Sequence, residues 1–160
     1  MIVVGTGHRD LRDRDWIADQ IERSLTEMGA SLLYVGMASG ADLLMAKVAW
    51  GLGIPFIAAK PWAGHQPRQA DAYDYGRALR FAEEVVNVTE YQDYPGAWVY
   101  DERNRFMVDR AEAYLAILES GRRGGTFNCV NYAMRKNLPG VKIDPLMKEV
   151  ERIEAKVVHE

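Results

Sequence analysis

Short all-apolar runs alternate with helical patterns along most of the chain, and this alternation narrows the possible folds more than any other feature. Residues 2–4, 31–35, 54–59, 85–88, 114–118 and 141–143 read as short buried strands. Between them, apolar side chains recur at helical spacing. Trp16, Ile17, Ile21, Leu25 and Met28 mark a helix over residues 15–28, and Leu44, Ala46, Val48 and Ala49 mark one over 41–50. Residues 61–81 open as a loop and become a polar helix. Further helices are expected at 101–110 and from the end of the 119–125 loop to about 136. The tail, residues 146–156, reads as a charged terminal helix.

Strands separated by helices pair in parallel through right-handed crossovers, and all-apolar strands need cover on both faces. The expected fold is therefore α/β: a single Rossmann-like, doubly wound, mainly parallel sheet over residues 1–145, with 146–160 as an appended tail. Sheets of this kind bind ligands beyond the carboxyl ends of their strands, near the switch in strand order. The loops just after each strand thus become the places to look for chemistry.

A length of 160 residues suits one domain with a real core. Cys129 is the only cysteine, which rules out an intrachain disulfide and fits a reducing compartment. No apolar run approaches membrane-spanning length, and Met1-Ile2-Val3-Val4 enters a strand without a basic leader. The expected location is the cytoplasm, with no membrane partner. A net charge of −3 argues against holding nucleic acid through bulk electrostatics. Arginines nevertheless outnumber lysines, and Arg9, Arg12, Arg14, Arg103, Arg105, Arg122 and Arg123 fall in expected loops or first turns. There a planar guanidinium suits phosphates and carboxylates.

Three glycine-bearing loops carry the functional signal. Gly5-Thr6-Gly7-His8-Arg9 follows the first strand, where glycine permits a sharp turn and close approach to an anion. Position 10 is Asp10 rather than a third glycine, and no acidic residue clearly ends the second strand, so an ordinary NAD-dependent dehydrogenase is not indicated. Gly36-Met37-Ala38-Ser39-Gly40-Ala41-Asp42 follows the second strand. It could admit a phosphate or ribose, or Ser39 could simply cap the helix while Asp42 complements its dipole. Gly124-Gly125-Thr126-Phe127-Asn128 follows the fifth strand as a further anion cradle, with Thr126 an alternative helix cap.

His8, His65 and His159 lie too far apart for a metal site, and no cysteine cluster exists, so neither a metal nor a cofactor is expected. His8 could contact a ligand or act as an acid or base, and His159 belongs to an expected disordered tail. Trp62 and the aromatic connection holding Tyr91, Tyr94 and Trp98 could stack on a base or form a satellite core.

Together with Arg103-Asn104 and Met107-Val108-Asp109, these loops resemble the SLOG superfamily, in particular its YpsA-like bacterial and phage branch, over roughly residues 2–145. The resemblance implies a Rossmannoid fold, frequent homodimerisation, and ligands that are nucleotides or nucleotide derivatives. The superfamily includes cytokinin-activating phosphoribohydrolases and the ssDNA-binding protein DprA; residues 36–42 are similar to DprA's glycine-rich loop. By similarity to the phosphoribohydrolases, Arg103 would be the catalytic arginine. Their two glutamates are replaced here by Asn128 and Cys129, of which only a Cys129 thiolate could be anionic. Any N-glycosidic chemistry must then fall to Asp42, Asp101, Glu102 or Asp109.

The leading expectation is a binding or sensing protein. Gly5, Thr6, Gly7, His8, Arg9, Gly36, Ser39, Gly40, Ala41, Asp42, Arg103, Asn104, Gly124, Gly125, Thr126 and Asn128 would surround a nucleotide-like molecule. The alternatives are a nucleotide N-glycosidic hydrolase or deoxyribosyltransferase using Arg103, Asp42 and Asp109, and a DprA-like ssDNA binder.

Overall fold

In a computed structural model, which describes residues 1–157, the strands β1 (Ile2–Gly7), β2 (Leu32–Val35), β3 (Phe56–Lys60), β4 (Glu84–Asn87), β5 (Ala113–Ile117), β6 (Gly140–Asp144) and β7 (Glu149–Ile153) form one sheet. The helices are α1 (Arg14–Glu27), α2 (Ala41–Gly51), α3 (Ala72–Phe81), α4 (Trp98–Asp109) and α5 (Gly125–Arg135). Strand order is β4-β3-β2-β1-β5-β6-β7, with every neighbour parallel except β6 and β7. This is the Rossmann-like α/β architecture expected from the alternation of runs.

The chain steps outward from β1 through β2 and β3 to β4, then returns past β1 to β5 and β6. Right-handed crossovers therefore send α1, α2 and α3 to one face and α4 and α5 to the other. The core divides accordingly. Val3, Leu33, Phe56 and Leu115 point toward Ile17, Ile21 and Leu25 of α1 and the buried side of α2. Their neighbours Val4, Tyr114 and Ala116 face Met107, Val108, Cys129 and Val130 on α4 and α5. The period-two alternation of a strand feeds both cores at once, which is why the inner strands read as continuous apolar runs. Each fully buried Ile or Leu on α1 contributes roughly 1.5–3 kcal/mol of burial free energy.

Two expectations change. Residues 146–156 do not form a helix: β7 runs antiparallel to β6, from Asp144↔Glu149 to Gly140↔Ile153. Asp144 Oδ1 accepts the N–H groups of Leu146 and Met147 at 2.9 and 3.0 Å, and Lys148 takes φ 55°. That side-chain turn folds the tail back as a hairpin, which dense charge alone does not reveal. Helix α4 starts at Trp98 rather than near 101, drawing Trp98 out of the aromatic connection into its first turn, with Tyr100 beside it. His159 lies outside the described residues. Among the described residues, no helix is long and apolar enough to cross a membrane.

Candidate anion-binding cleft

The direction of winding reverses between β1 and β5, and a cleft of about 470 Å³ opens at their carboxyl ends. It is lined by Thr6, Gly7, His8 and Arg9 from the first loop, by Arg103 and Asn104 from α4, and by Gly125, Thr126 and Asn128 from α5. Ala38 and Asp42 join them from the second loop. Four segments distant in sequence thus meet at the switch point.

The glycines of the first two loops serve close packing. A Cβ on Gly7 would lie 2.4 Å from Ala41 Cβ and 2.8 Å from Ile117 Cβ, and one on Gly5 would lie 2.4 Å from Met45 Sδ. Gly40, at φ 78°, has room only for hydrogen, because a Cβ would sit 2.2 Å from the Arg9 carbonyl oxygen. The Ala41 N–H donates to the His8 carbonyl at 3.1 Å, so the N-terminus of α2 clamps the first loop. Ser39 is buried, and its hydroxyl, on the side of the Asp71 carboxyl, helps hold that group below the usual range. Gly40, not Ser39, occupies the cap position of α2. Gly5, Gly36, Ser39, Gly40 and Ala41 therefore shape the wall from behind, while Ala38 and Asp42 face the cleft.

Asp42 and Arg103 lie side by side at the base of the cleft, both buried. Asp42 Oδ2 accepts the Ala38 N–H at 3.0 Å. Burial raises its pKa, and the nearby Arg103 guanidinium and the Ala38 N–H work against that rise. Arg103 Nη1 donates to the Gly36 carbonyl at 2.7 Å and Nε to Asn104 Oδ1 at 3.3 Å. A Cβ on Gly36 would strike the guanidinium, 2.7 Å from Nε, so this glycine makes room for the arginine. The guanidinium carbons of Arg103 and Arg9 each lie 5.6 Å from the centre of the Tyr100 ring. Asp109 lies at the far end of α4, accepting from Tyr132 Oη at 2.7 Å with Lys136 Nζ at 3.7 Å, and does not reach the cleft.

On the opposite wall, α5 begins at the cleft. Gly124 caps it with φ 123° and ψ −155°, and its carbonyl accepts the Asn128 N–H at 2.9 Å. The N–H groups of Gly125, Thr126 and Phe127 belong to the first turn, which has no intrahelical acceptors. Asn104 Nδ2 reaches the Gly125 carbonyl at 3.5 Å. His8 is a brace: its Nε2 accepts the Glu119 N–H at 2.9 Å, which leaves the ring proton on Nδ1. Burial and then Arg122 lower its pKa, so the ring is neutral at pH 7. Cys129 is no thiolate, since burial pushes its thiol up to about 11. The anionic role left open for it at the phosphoribohydrolase position is therefore withdrawn.

Charge pairing sets the character of the cleft. Asp10 is turned onto Arg68 at 3.2 Å, Asp101 onto Arg105 at 2.8 Å, and buried Glu119 holds Arg12 and Arg122 at 3.0 and 2.9 Å. Among the described residues, Arg9, Arg103 and Arg123 have no carboxylate at salt-bridge distance. Three guanidinium groups and an open helix N-terminus thus face one space, and both favour an anion.

An aromatic cluster flanks the Tyr100 side. The Trp62 ring centre lies 5.3 Å from that of Tyr94 and 5.9 Å from that of Tyr100. Two loops brace it, with Thr89 Oγ1 donating to the Pro61 carbonyl at 2.8 Å and the Gly64 N–H donating to the Tyr91 carbonyl at 3.1 Å. Tyr100 itself lines the cleft and escaped the sequence reading, although it stands three residues before Arg103 on the same helix face.

The strand order, with its reversal of winding beside β1, defines a Rossmann-like α/β fold. DNA processing protein A (DprA) of Streptococcus pneumoniae shares it, with a TM-score of 0.70 and 18% identity over 88% of this chain and 49% of that one. DprA of Helicobacter pylori, described for its single-stranded DNA binding mode, aligns with a TM-score of 0.68 and 16% identity over 96% of this chain and 68% of that one. The molybdenum cofactor binding protein of Rippkaea orientalis aligns with a TM-score of 0.59 and 16% identity over 89% of this chain and 76% of that one. In sequence, the chain is similar to the uncharacterized SPbeta prophage-derived protein YoqJ of Bacillus subtilis (strain 168), 37% identical over 73 residues. That stretch covers 40% of this chain and 42% of YoqJ. No protein-family model matches the chain.

Proposed function

We propose that this protein binds or senses a nucleotide or nucleotide-derived small molecule in the cleft between β1 and β5. The observation that carries this reading is that Arg9, Arg103 and Arg123, without a carboxylate at salt-bridge distance among the described residues, line one cleft with the open first turn of α5. A phosphoryl group would lie on the Gly125, Thr126 and Phe127 N–H groups, with Arg123 beside it and the Thr126 and Asn128 side chains in reach of its ester oxygen or ribose. Tyr100 and the aromatic cluster behind it supply apolar surface for a base. DprA and the molybdenum cofactor proteins support a small-molecule or nucleotide ligand at this coarse level only. Placement in the YpsA-like branch, a cytoplasmic location and a homodimer belong to the same proposal.

A thermal-shift panel of AMP, ADP, ADP-ribose, NAD, deoxynucleoside monophosphates and a short ssDNA tests the reading. A ligand at 100 times its Kd stabilises by about 2.7 kcal/mol, which raises Tm by several degrees at about 2–4 °C per kcal/mol. The expected result is a shift confined to one nucleotide class. A shift with ssDNA alone, weakening steeply with salt, would instead assign the cleft to nucleic acid, the ligand of the H. pylori protein.

A second reading rests on one feature: Asp42 is a buried carboxylate that faces the cleft beside Arg103. It could stabilise an electron-poor sugar while an N-glycosidic bond breaks. Chromatography of the panel mixtures decides between the two. Free base appearing with wild type and not with Asp42→Asn supports hydrolysis or transfer; intact nucleotide supports binding alone.

A further inference from the structure

We infer that the cleft is built for a ligand carrying two phosphoryl groups, one beside Arg123 at the start of α5 and one between Arg9 and Arg103 at Tyr100. This inference rests on the nucleotide reading above and specifies its ligand.

The cations of the cleft fall into two sets. Arg9 and Arg103 share the Tyr100 ring, each 5.6 Å from its centre, and together with Lys60 they bear on His65. Arg122 belongs to the other side, where it pairs with Glu119 at 2.9 Å and bears on His8. Arg123 accompanies it, with its guanidinium carbon 5.1 Å from the centre of the Phe127 ring on the first turn of α5. Both sets open on the same cleft.

One phosphoryl group leaves one set unanswered. A phosphate ester on the α5 N-terminus has its oxygens met by the first-turn N–H groups and Arg123. Arg9 and Arg103 would then still face no carboxylate. For Arg103 that matters, because it is buried and an unneutralised buried charge is costly. Asp42 answers it only in part: its carboxylate favours the Arg103 charge but lies beyond salt-bridge distance of the guanidinium and also accepts the Ala38 N–H. A second phosphoryl group joined to the first would meet both guanidinium groups. A diphosphate ester, or a nucleotide phosphorylated at two positions, meets that description.

The test is calorimetric titration of the whole chain with inorganic phosphate, pyrophosphate, AMP and ADP, using wild type, Arg9→Ala and Arg123→Ala. Both arginine side chains are exposed, and thermal melts check that the variants fold. Pyrophosphate is expected to bind at least about tenfold tighter than phosphate, and ADP at least about tenfold tighter than AMP. Either substitution should bring each pair to within about threefold. Equal binding of AMP and ADP by wild type would overturn the two-phosphoryl inference and leave the nucleotide reading intact. Strong pyrophosphate binding with nucleotides no tighter would keep the two anion positions and overturn the nucleotide reading. No binding by any of the four probes would overturn both.

Discussion

His65 sits beneath the aromatic cluster, its Nδ1 bonded to Tyr75 Oη at 2.9 Å while Tyr75 Oη donates to the His65 carbonyl at 3.0 Å. The hydroxyl has one proton and gives it to the carbonyl, so the ring must supply the other, and Nδ1 is the protonated nitrogen. Burial, with Arg103, Lys60 and Arg9 nearby, lowers the ring's pKa from 6.5 to about 4. Above 6.5 the ring is neutral both folded and unfolded and adds no pH dependence. Below it the unfolded chain takes up the proton first, so stability falls as pH drops from 6.5 toward 4. The full loss is about 3 kcal/mol. Urea melts between pH 7.5 and 4.5 should show it, and His65→Gln should flatten the profile relative to wild type. Parallel profiles for the two proteins would mean that His65 protonates freely in the fold. At this scale the sequence was legible where a residue's chemistry was local. Arg9, Arg103, Thr126 and Asn128 do line the cleft. Gly5, Ser39 and Asp109 do not, because whether a small or polar residue meets ligand or a neighbouring helix depends on tertiary contacts.

Among the elements, the hairpin of β6 and β7 has the most specific support. Asp144 accepts three N–H groups: those of Leu146 and Met147 in the turn, and that of Ser120 at 3.0 Å in the loop ahead of α5. Asp144→Ala leaves these donors without their partner and should cost about 1–3 kcal/mol in denaturant unfolding. Amide hydrogen exchange should also quicken at Ser120, Leu146 and Met147. Unchanged exchange there would show that the turn holds itself. The helices and inner strands could be read from the chain because their apolar periods are set by burial on one or both faces. β7 could not, since Glu149, Glu151 and Arg152 are exposed on an edge strand and carry no such period. The early start of α4 escaped for a related reason: the aromatic residues at 91–98 suit a loop wall as well as a first turn.

For the whole molecule, the order β4-β3-β2-β1-β5-β6-β7 of the described strands places the reversal of winding beside β1. The loops after β1, β2 and β5 converge there with α4, and α5 points its N-terminus at the same space. The chain's net negative charge is no obstacle, because Asp10, Asp101 and Glu119 are occupied by Arg68, Arg105, Arg12 and Arg122, and Asp42, the remaining acid of the cleft, lies beside Arg103. Local pairing, rather than the overall balance of charge, makes the cleft attractive to an anion. The measurement that bears most directly on a nucleotide-binding cleft is an amide NMR titration with ADP. The largest shifts are expected at Gly125, Thr126 and Phe127, with smaller ones at Gly7 and Arg9. Shifts confined to other surfaces, or none up to millimolar ADP, would contradict the proposal that a nucleotide phosphate sits on the first turn of α5.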